Sequence, residues 1–146
     1  MKNSTGFTLI ELVVTIVLVG ILLGTAIPTF NRTINETQIQ VNVSNMQTIK
    51  NCFVQYYQDN HMDGNPHFPK LPTNGLMDST YRNTTLSDGR TPDMLFSGDL
   101  PYNSNNKPYN YSWQNDTVNG HITRRIIIKD NDPDSPSYLK LIIGEM

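Results

Sequence analysis

The sequence has a single cysteine, Cys52, so a disulfide bond within one chain is excluded. Domains that fold outside the cytoplasm often use such bonds, and this chain must be stable without one. A free cysteine is usually a buried and unreactive side chain, and Cys52 borders the apolar stripe of a helix predicted below. We therefore expect Cys52 to be buried and inert.

Excess charge and catalytic motifs are also absent from the sequence. The formal net charge is −2 and the isoelectric point is about 5.8, so no basic surface for nucleic acid or anionic lipid is expected. The sequence has no G-x-S-x-G elbow and no phosphate-binding loop. His61, His67 and His121 do not have metal-ligand spacing, and we expect them at the surface. These absences indicate a protein that is not an enzyme and does not bind nucleic acid.

One long apolar run stands near the start of the chain, from Phe7 to Ile27. As a helix with a rise of 1.5 Å per residue it spans roughly 30 Å, which matches the hydrocarbon core of a bilayer. A short polar leader with one positive charge, Lys2, precedes it. The run therefore predicts a single membrane-spanning helix, with the leader inside and the remaining domain outside the cytoplasm.

Glu11 is the one carboxylate in this apolar run. A carboxylate near the centre of a membrane helix costs about 2.5–3.5 kcal/mol on insertion scales. One explanation is an interfacial glutamate that snorkels toward the headgroups. The other is a charge kept for a partner that arrives later. We favour the second, because an ordinary anchor would have leucine or valine here.

The order of residues in this segment resembles a known signal. Lys2 in the leader, Gly6, Phe7-Thr8-Leu9-Ile10-Glu11, Gly20 and Pro28 stand at matching positions. The segment resembles the class III signal and N-terminal helix of type IV pilins and type II secretion pseudopilins. The resemblance covers about the first fifth of the chain, and the whole superfamily shares it.

The resemblance implies a processing and assembly mechanism. A prepilin peptidase would cut between Gly6 and Phe7 and methylate the new Phe7 amine. In a helical assembly Glu11 of one subunit would meet the Phe7 amine of its neighbour, and each charge would neutralise the other in an apolar bundle. Gly20 and Pro28 would permit local unwinding of the helix on assembly.

The resemblance also implies a function, namely a structural subunit of a type II secretion pseudopilus that supports protein export. Its partners would be identical and related pilin subunits, the prepilin peptidase, and an assembly ATPase with its platform protein. The chain would be stored in the bacterial inner membrane and polymerised into a periplasmic or surface filament. Two alternatives stay open: a type IV pilin or minor pilin for adhesion, twitching or DNA uptake, and an uncleaved membrane-anchored binding domain.

We expect an α+β fold in which a long N-terminal helix packs on a small three-stranded antiparallel sheet. Residues 1–6 form the leader, 7–28 the membrane and assembly helix, 29–60 an amphipathic continuation, 61–108 a turn-rich connection and 109–146 the sheet. The continuation has an apolar stripe at spacings of three and four that is suited to cover a sheet. The stripe consists of Ile39, Val43, Met46, Ile49, Phe53 and Tyr56 or Tyr57.

Three strands are predicted in the last part of the chain. Aromatic residues alternate with polar ones from Tyr109 to Trp113, Asn119-Gly120 predicts a hairpin turn, and Ile122–Lys129 is rich in isoleucine. The third strand is predicted at Tyr138–Ile143. In the connection, one short helical turn is expected near residues 92–96.

The loop before the third strand carries Asp130, Asp132 and Asp134 at alternate positions. Carboxylates are suitable ligands for Ca²⁺, and major pseudopilins, which the chain resembles, bind calcium in a C-terminal loop. Neither EF-hand spacing nor the glycine-rich loop of those proteins is present. The three aspartates are therefore either calcium ligands or members of a solvated turn, and the turn is favoured because Asp, Asn and Pro are ordinary turn formers.

Overall fold

The computed structural model describes residues 6–97, 99–118 and 121–145. In chain order its elements are α1 (Leu9–Met62), α2 (Ser79–Arg82), α3 (Pro92–Leu95), β1 (Asn110–Val118), β2 (His121–Lys129) and β3 (Leu141–Glu145). The strands form one antiparallel sheet in the order β1-β2-β3. The α+β, pilin-like arrangement predicted from the sequence is confirmed. The predicted Asn119-Gly120 turn and leader residues 1–5 lie outside the described residues.

The chain separates into two compact units, Met1–Thr37 and Gln38–Met146. The first contains the apolar beginning of α1. The second contains the amphipathic end of α1, the connection and the sheet. Helix α1 continues through Pro28 without a break. It ends at Met62, two residues after the end predicted at Asn60.

The core of the second unit lies between α1 and the sheet. Met46, Ile49 and Phe53 of α1 are completely buried, as the predicted stripe requires. The Phe53 ring centroid lies 4.7 Å from that of Tyr111 on β1, within the usual range for aromatic pairs. Burying each such side chain contributes about 1.5–3 kcal/mol, so this contact holds the helix on the sheet. The buried cluster also includes Tyr57, Phe68, Met77, Tyr81, Leu100, Tyr109, Ile126 and Ile128.

A glycine of β3 lies close to a side chain of α1 and to one of β2. Gly144 of β3 pairs with Ile126 of β2. A Cβ at Gly144 would lie 2.9 Å from Cγ2 of Ile126 and 3.1 Å from Cδ of Lys50 on α1. Only a residue without a side chain fits between helix and strand at this point.

The third strand begins later than predicted because Tyr138–Lys140 belong to a turn. Leu139 has a positive φ of 62°, and its N–H donates to the Asp130 carbonyl at 2.9 Å. The Asp130 N–H donates in turn to the Lys140 carbonyl at 3.0 Å. These two bonds close the loop between β2 and β3.

The connection from residue 63 to residue 109 is ordered by short local structures. Helix α3 lies where a helical turn was expected, and α2 is an addition that the sequence reasoning missed. The Asp78 carboxylate caps α2, accepting from the N–H groups of Thr80 at 2.9 Å and Tyr81 at 3.0 Å. Arg82 then links α2 to α3 through an ion pair with Asp93 at 2.7 Å.

Candidate functional site

The first turns of α1 form the candidate functional segment. Within α1 an 18-residue window has a mean hydropathy of 2.6, and none of it is buried inside the fold. By length and composition the helix is able to cross a membrane. Large apolar side chains on it are exposed, including Leu9 at 82% and Ile10 at 71%. This exposure is consistent with membrane anchoring, because free water would be an unfavourable surrounding for so much apolar surface.

Glu11 closes a capping box with Thr8 at the beginning of α1. The Thr8 N–H and hydroxyl donate to the Glu11 carboxylate at 3.3 and 3.0 Å, and the Glu11 N–H donates to the Thr8 hydroxyl at 3.3 Å. The pair satisfies donors that the first turn leaves free, and the carboxylate lies at the positive end of the helix dipole. Sequence reasoning missed this role, although the spacing Thr-x-x-Glu is its ordinary signal.

The predicted cleavage residues come directly before this box. Gly6 and Phe7 lie outside regular structure, and Phe7 is 73% exposed. A peptidase needs accessible, non-helical backbone, and both residues provide it. The structure therefore brings Gly6, Phe7, Thr8 and Glu11 together in one short segment at the head of the helix.

Gly20 and Pro28 lie further along α1, apart from this segment. A Cβ at Gly20 would meet nothing within 4 Å, so its surface is open to a neighbouring helix. Pro28 lacks the N–H that would bond the Gly24 carbonyl, which leaves a weak point in a helix that is nevertheless continuous. Local unwinding here on assembly stays a prediction.

The loop between β2 and β3 builds a second polar cluster, within the 38–146 unit. The Asp130 carboxylate is completely buried and accepts four hydrogen bonds. The donors are the hydroxyls of Ser135 at 2.6 Å and Ser137 at 2.5 Å, the Asn103 amide at 3.2 Å and the Asp132 N–H at 3.1 Å. This pattern differs from a solvated turn, because the carboxylate is removed from water and fully bonded.

The other two aspartates do not join Asp130 in one metal-binding group. Asp132 accepts from the amides of Asn105 at 2.8 Å and Asn103 at 3.1 Å, whereas Asp134 is exposed. Among the described residues, no set of three or more His, Cys, Asp or Glu side chains is placed to hold a metal ion. The residues therefore do not fit the calcium site that the resemblance suggests.

Hydrogen bonds lower the pKa values of two carboxylates in this unit, which predicts that its stability depends on pH. The amide of Asn105, together with that of Asn103, holds the pKa of Asp132 below its usual value, and the Tyr81 N–H and the Asn74 amide do the same for Asp78. The unfolded chain then binds more protons than the folded one near the ordinary aspartate pKa of about 4.

We therefore expect stability to be complete above about pH 5 and to fall as the pH drops through the lowered pKa values of Asp132 and Asp78. The midpoint of urea unfolding, measured from pH 6 to pH 3, tests this. Asp132→Asn and Asp78→Asn should each flatten the profile, and Asp134→Asn, an exposed aspartate in the same loop, should not. Profiles identical in all four proteins would contradict the assignment.

The remaining candidates are structural. Cys52 is half-buried, and desolvation raises the pKa of its thiol, as expected for an unreactive cysteine.

His67 was expected at the surface, but its side chain is half-buried. Its Nδ1 lies 2.6 Å from the Asn65 carbonyl oxygen, and its Nε2 lies 3.2 Å from the Tyr56 hydroxyl. The Asn65 carbonyl can only accept, so Nδ1 carries the proton and the hydroxyl donates to Nε2 in the neutral ring.

Comparison with known proteins finds a family match for the first part of the chain. A family model described as the prokaryotic N-terminal methylation motif matches residues 1–27. No curated protein matches the chain, and no solved structure matches it. The match supports a type IV pilin-like class III signal, in agreement with the residues around Gly6 and Glu11, and does not separate pilins from pseudopilins.

Proposed function

We propose that this chain is a structural subunit of a filament, processed by a prepilin peptidase and polymerised from the membrane. The observation that carries the proposal is the position of Glu11. Its carboxylate accepts hydrogen bonds from Thr8 at the beginning of α1, where the apolar part of that helix is exposed. A bundle of such helices would cover their apolar surfaces, and it would need a positive group for each carboxylate.

The processed N-terminus would provide that positive group. Cleavage after Gly6 makes the Phe7 amine the first group of the chain, and an α-amine with a pKa near 7.7–8.0 is largely cationic at neutral pH. A pair between Glu11 of one subunit and the Phe7 amine of the next would neutralise both charges. A subunit docked out of register would leave both unpaired, so the pair would also set the register of assembly.

Within this function we favour the pseudopilus of a type II secretion system over a type IV pilus. The 38–146 unit holds its sheet and C-terminal loop without a disulfide, since Cys52 is the only cysteine. In many type IV pilins a disulfide bond links the C-terminal region, whereas major pseudopilins usually lack this bond. The proposed partners are like subunits, the peptidase and an assembly ATPase with its platform protein, and no catalytic role is proposed.

The N-terminal mass of the protein purified from its native membrane tests the proposal. We expect a chain that begins at Phe7 and carries one additional methyl group. Cells without an active prepilin peptidase should contain a chain that begins at Met1, and Gly6→Val should remain uncut in normal cells. A Met1 start in cells with an active peptidase would refute the filament subunit and favour an uncleaved, membrane-anchored binding domain.

A further inference from the structure

We propose that hydrogen-bond donors take the place of a calcium ion in the loop between β2 and β3, forming a metal-independent clasp that fastens this loop to α1. The clasp is defined as Asn42, Asn103, Asp130, Asp132, Ser135 and Ser137. It belongs to the 38–146 unit and does not depend on the proposed filament.

The orientation of the Asn103 side-chain amide distinguishes the clasp from a cation-binding site. Its oxygen accepts from the N–H groups of Asn105 at 3.0 Å and Lys107 at 2.8 Å. Its nitrogen must therefore face the carboxylates of Asp130 and Asp132, to which it donates at 3.2 and 3.1 Å. Calcium requires six to eight oxygen ligands, and here an amide N–H group lies between the two aspartates where a cation would have to be.

The Asn42 amide on α1 is fixed in the same way. Its oxygen accepts from the Ser104 N–H at 2.7 Å, so its nitrogen faces the loop. The nitrogen donates to the hydroxyls of Ser137 at 2.7 Å and Ser135 at 3.1 Å, and both hydroxyls donate onward to Asp130. A continuous chain of donors thus runs from the helix to the buried carboxylate.

The clasp supplies hydrogen-bond partners to polar side chains whose burial without partners would be energetically unfavourable. Asn42 and Asp130 are both completely buried. A buried carboxylate is tolerated when it accepts several hydrogen bonds, and Asp130 has four donors for its two oxygens. The Tyr109 hydroxyl adds a bond to the Asn42 carbonyl at 3.3 Å, which ties the entry of the sheet to the same turn of α1.

Thermal unfolding of the full chain in detergent micelles tests the calcium part of the proposal. Fluorescence of the single tryptophan, Trp113 on β1, reports on the 38–146 unit. We expect the same Tm in EDTA and in about 10 mM CaCl₂, a concentration above the usual Kd range of extracellular calcium modules. A saturable rise of several degrees with calcium that Asp132→Ala removes would overturn the proposal.

Two matched pairs of variants test the clasp itself. Asn42→Ala should lower Tm by about 10 °C, because it removes the side-chain amide that bonds Ser104, Ser135 and Ser137. Asn51→Ala, at an exposed position of α1, should change Tm by about 1 °C. Ser137→Ala should cause a smaller fall, and Ser44→Ala, also exposed on α1, almost none. Calcium should not restore Tm in any variant. Equal effects of Asn42→Ala and Asn51→Ala would overturn the clasp.

Discussion

Replacing Glu11 with valine is expected to remove the chain from filaments while leaving it in the membrane. Valine makes the apolar segment more apolar, so insertion is retained or strengthened. The proposed contact with the Phe7 amine of a neighbour is lost, and that amine would be buried without a partner. Removing one member of a buried ion pair costs about 3–5 kcal/mol, which corresponds to a factor above one hundred in the affinity at each contact.

Glu11 has two separable roles, and glutamine distinguishes them. Glutamine at the third helical position retains a capping box with Thr8, because its side-chain oxygen still accepts from the Thr8 N–H. It does not retain the negative charge. We therefore expect Glu11→Gln to insert and cap normally and still to fail in assembly.

The measurement is the fraction of the chain found in sheared or crosslinked filaments, relative to the membrane fraction, for wild type and both variants. Assembly of Glu11→Gln together with failure of Glu11→Val would show that the cap matters and the charge does not. Normal assembly of both variants would refute the pairing. Normal N-terminal processing in each variant is the necessary control, because an uncut chain would lack the Phe7 amine altogether.

The parts of the fold that follow from periodicity were predictable. The stripe from Ile39 to Tyr57 repeats with the period of a helix, and the structure buries Met46, Ile49 and Phe53 at its centre. The alternation in β1 likewise predicted a strand with an aromatic face, and the isoleucine run predicted the strand β2. These signals are local and repeated, so no knowledge of distant contacts is required.

The clasp was not predictable in the same way. By composition Asn42 belongs to the polar side of α1, yet it is completely buried because its partners Ser104, Ser135 and Ser137 are 62 to 95 residues away in sequence. A single buried asparagine has no periodic signal, and its burial depends on loops that fold over it. The late start of β3 has the same origin, since the Leu139 N–H is used by Asp130 in the loop and not by a strand.

The capping box was also not predicted, although its sequence signal is local. Thr8 and Glu11 have the local spacing of a cap, and no distant contact is needed to find it. The resemblance of the surrounding residues to a prepilin signal implies an intermolecular role for Glu11 and no role within its own helix. Both roles are compatible, because a carboxylate that accepts from Thr8 retains lone pairs for a second donor.

Replacing Phe53 with alanine is expected to cause the largest loss of stability of any single truncation in the 38–146 unit. Phe53 is completely buried and belongs to the core cluster of this unit. Its ring centroid lies 4.7 Å from Tyr111 on β1 and 5.8 Å from Phe96, which follows α3. Truncation removes the transfer energy of the ring and leaves a cavity between helix and sheet, which together cost about 3–5 kcal/mol.

Thermal unfolding followed by Trp113 fluorescence measures this loss, with an expected fall in Tm of more than about 10 °C. Phe30→Ala is the matched control, because Phe30 lies on the same helix, in the other unit, and is 66% exposed. In detergent it should change Tm by about 1 °C or less, since no core contact is lost. Similar shifts for the two variants would mean that Phe53 does not join the helix to the sheet. A large fall for Phe53→Ala alone would place the main stability of the unit at the contact between α1 and β1, where the helical stripe and the aromatic strand meet.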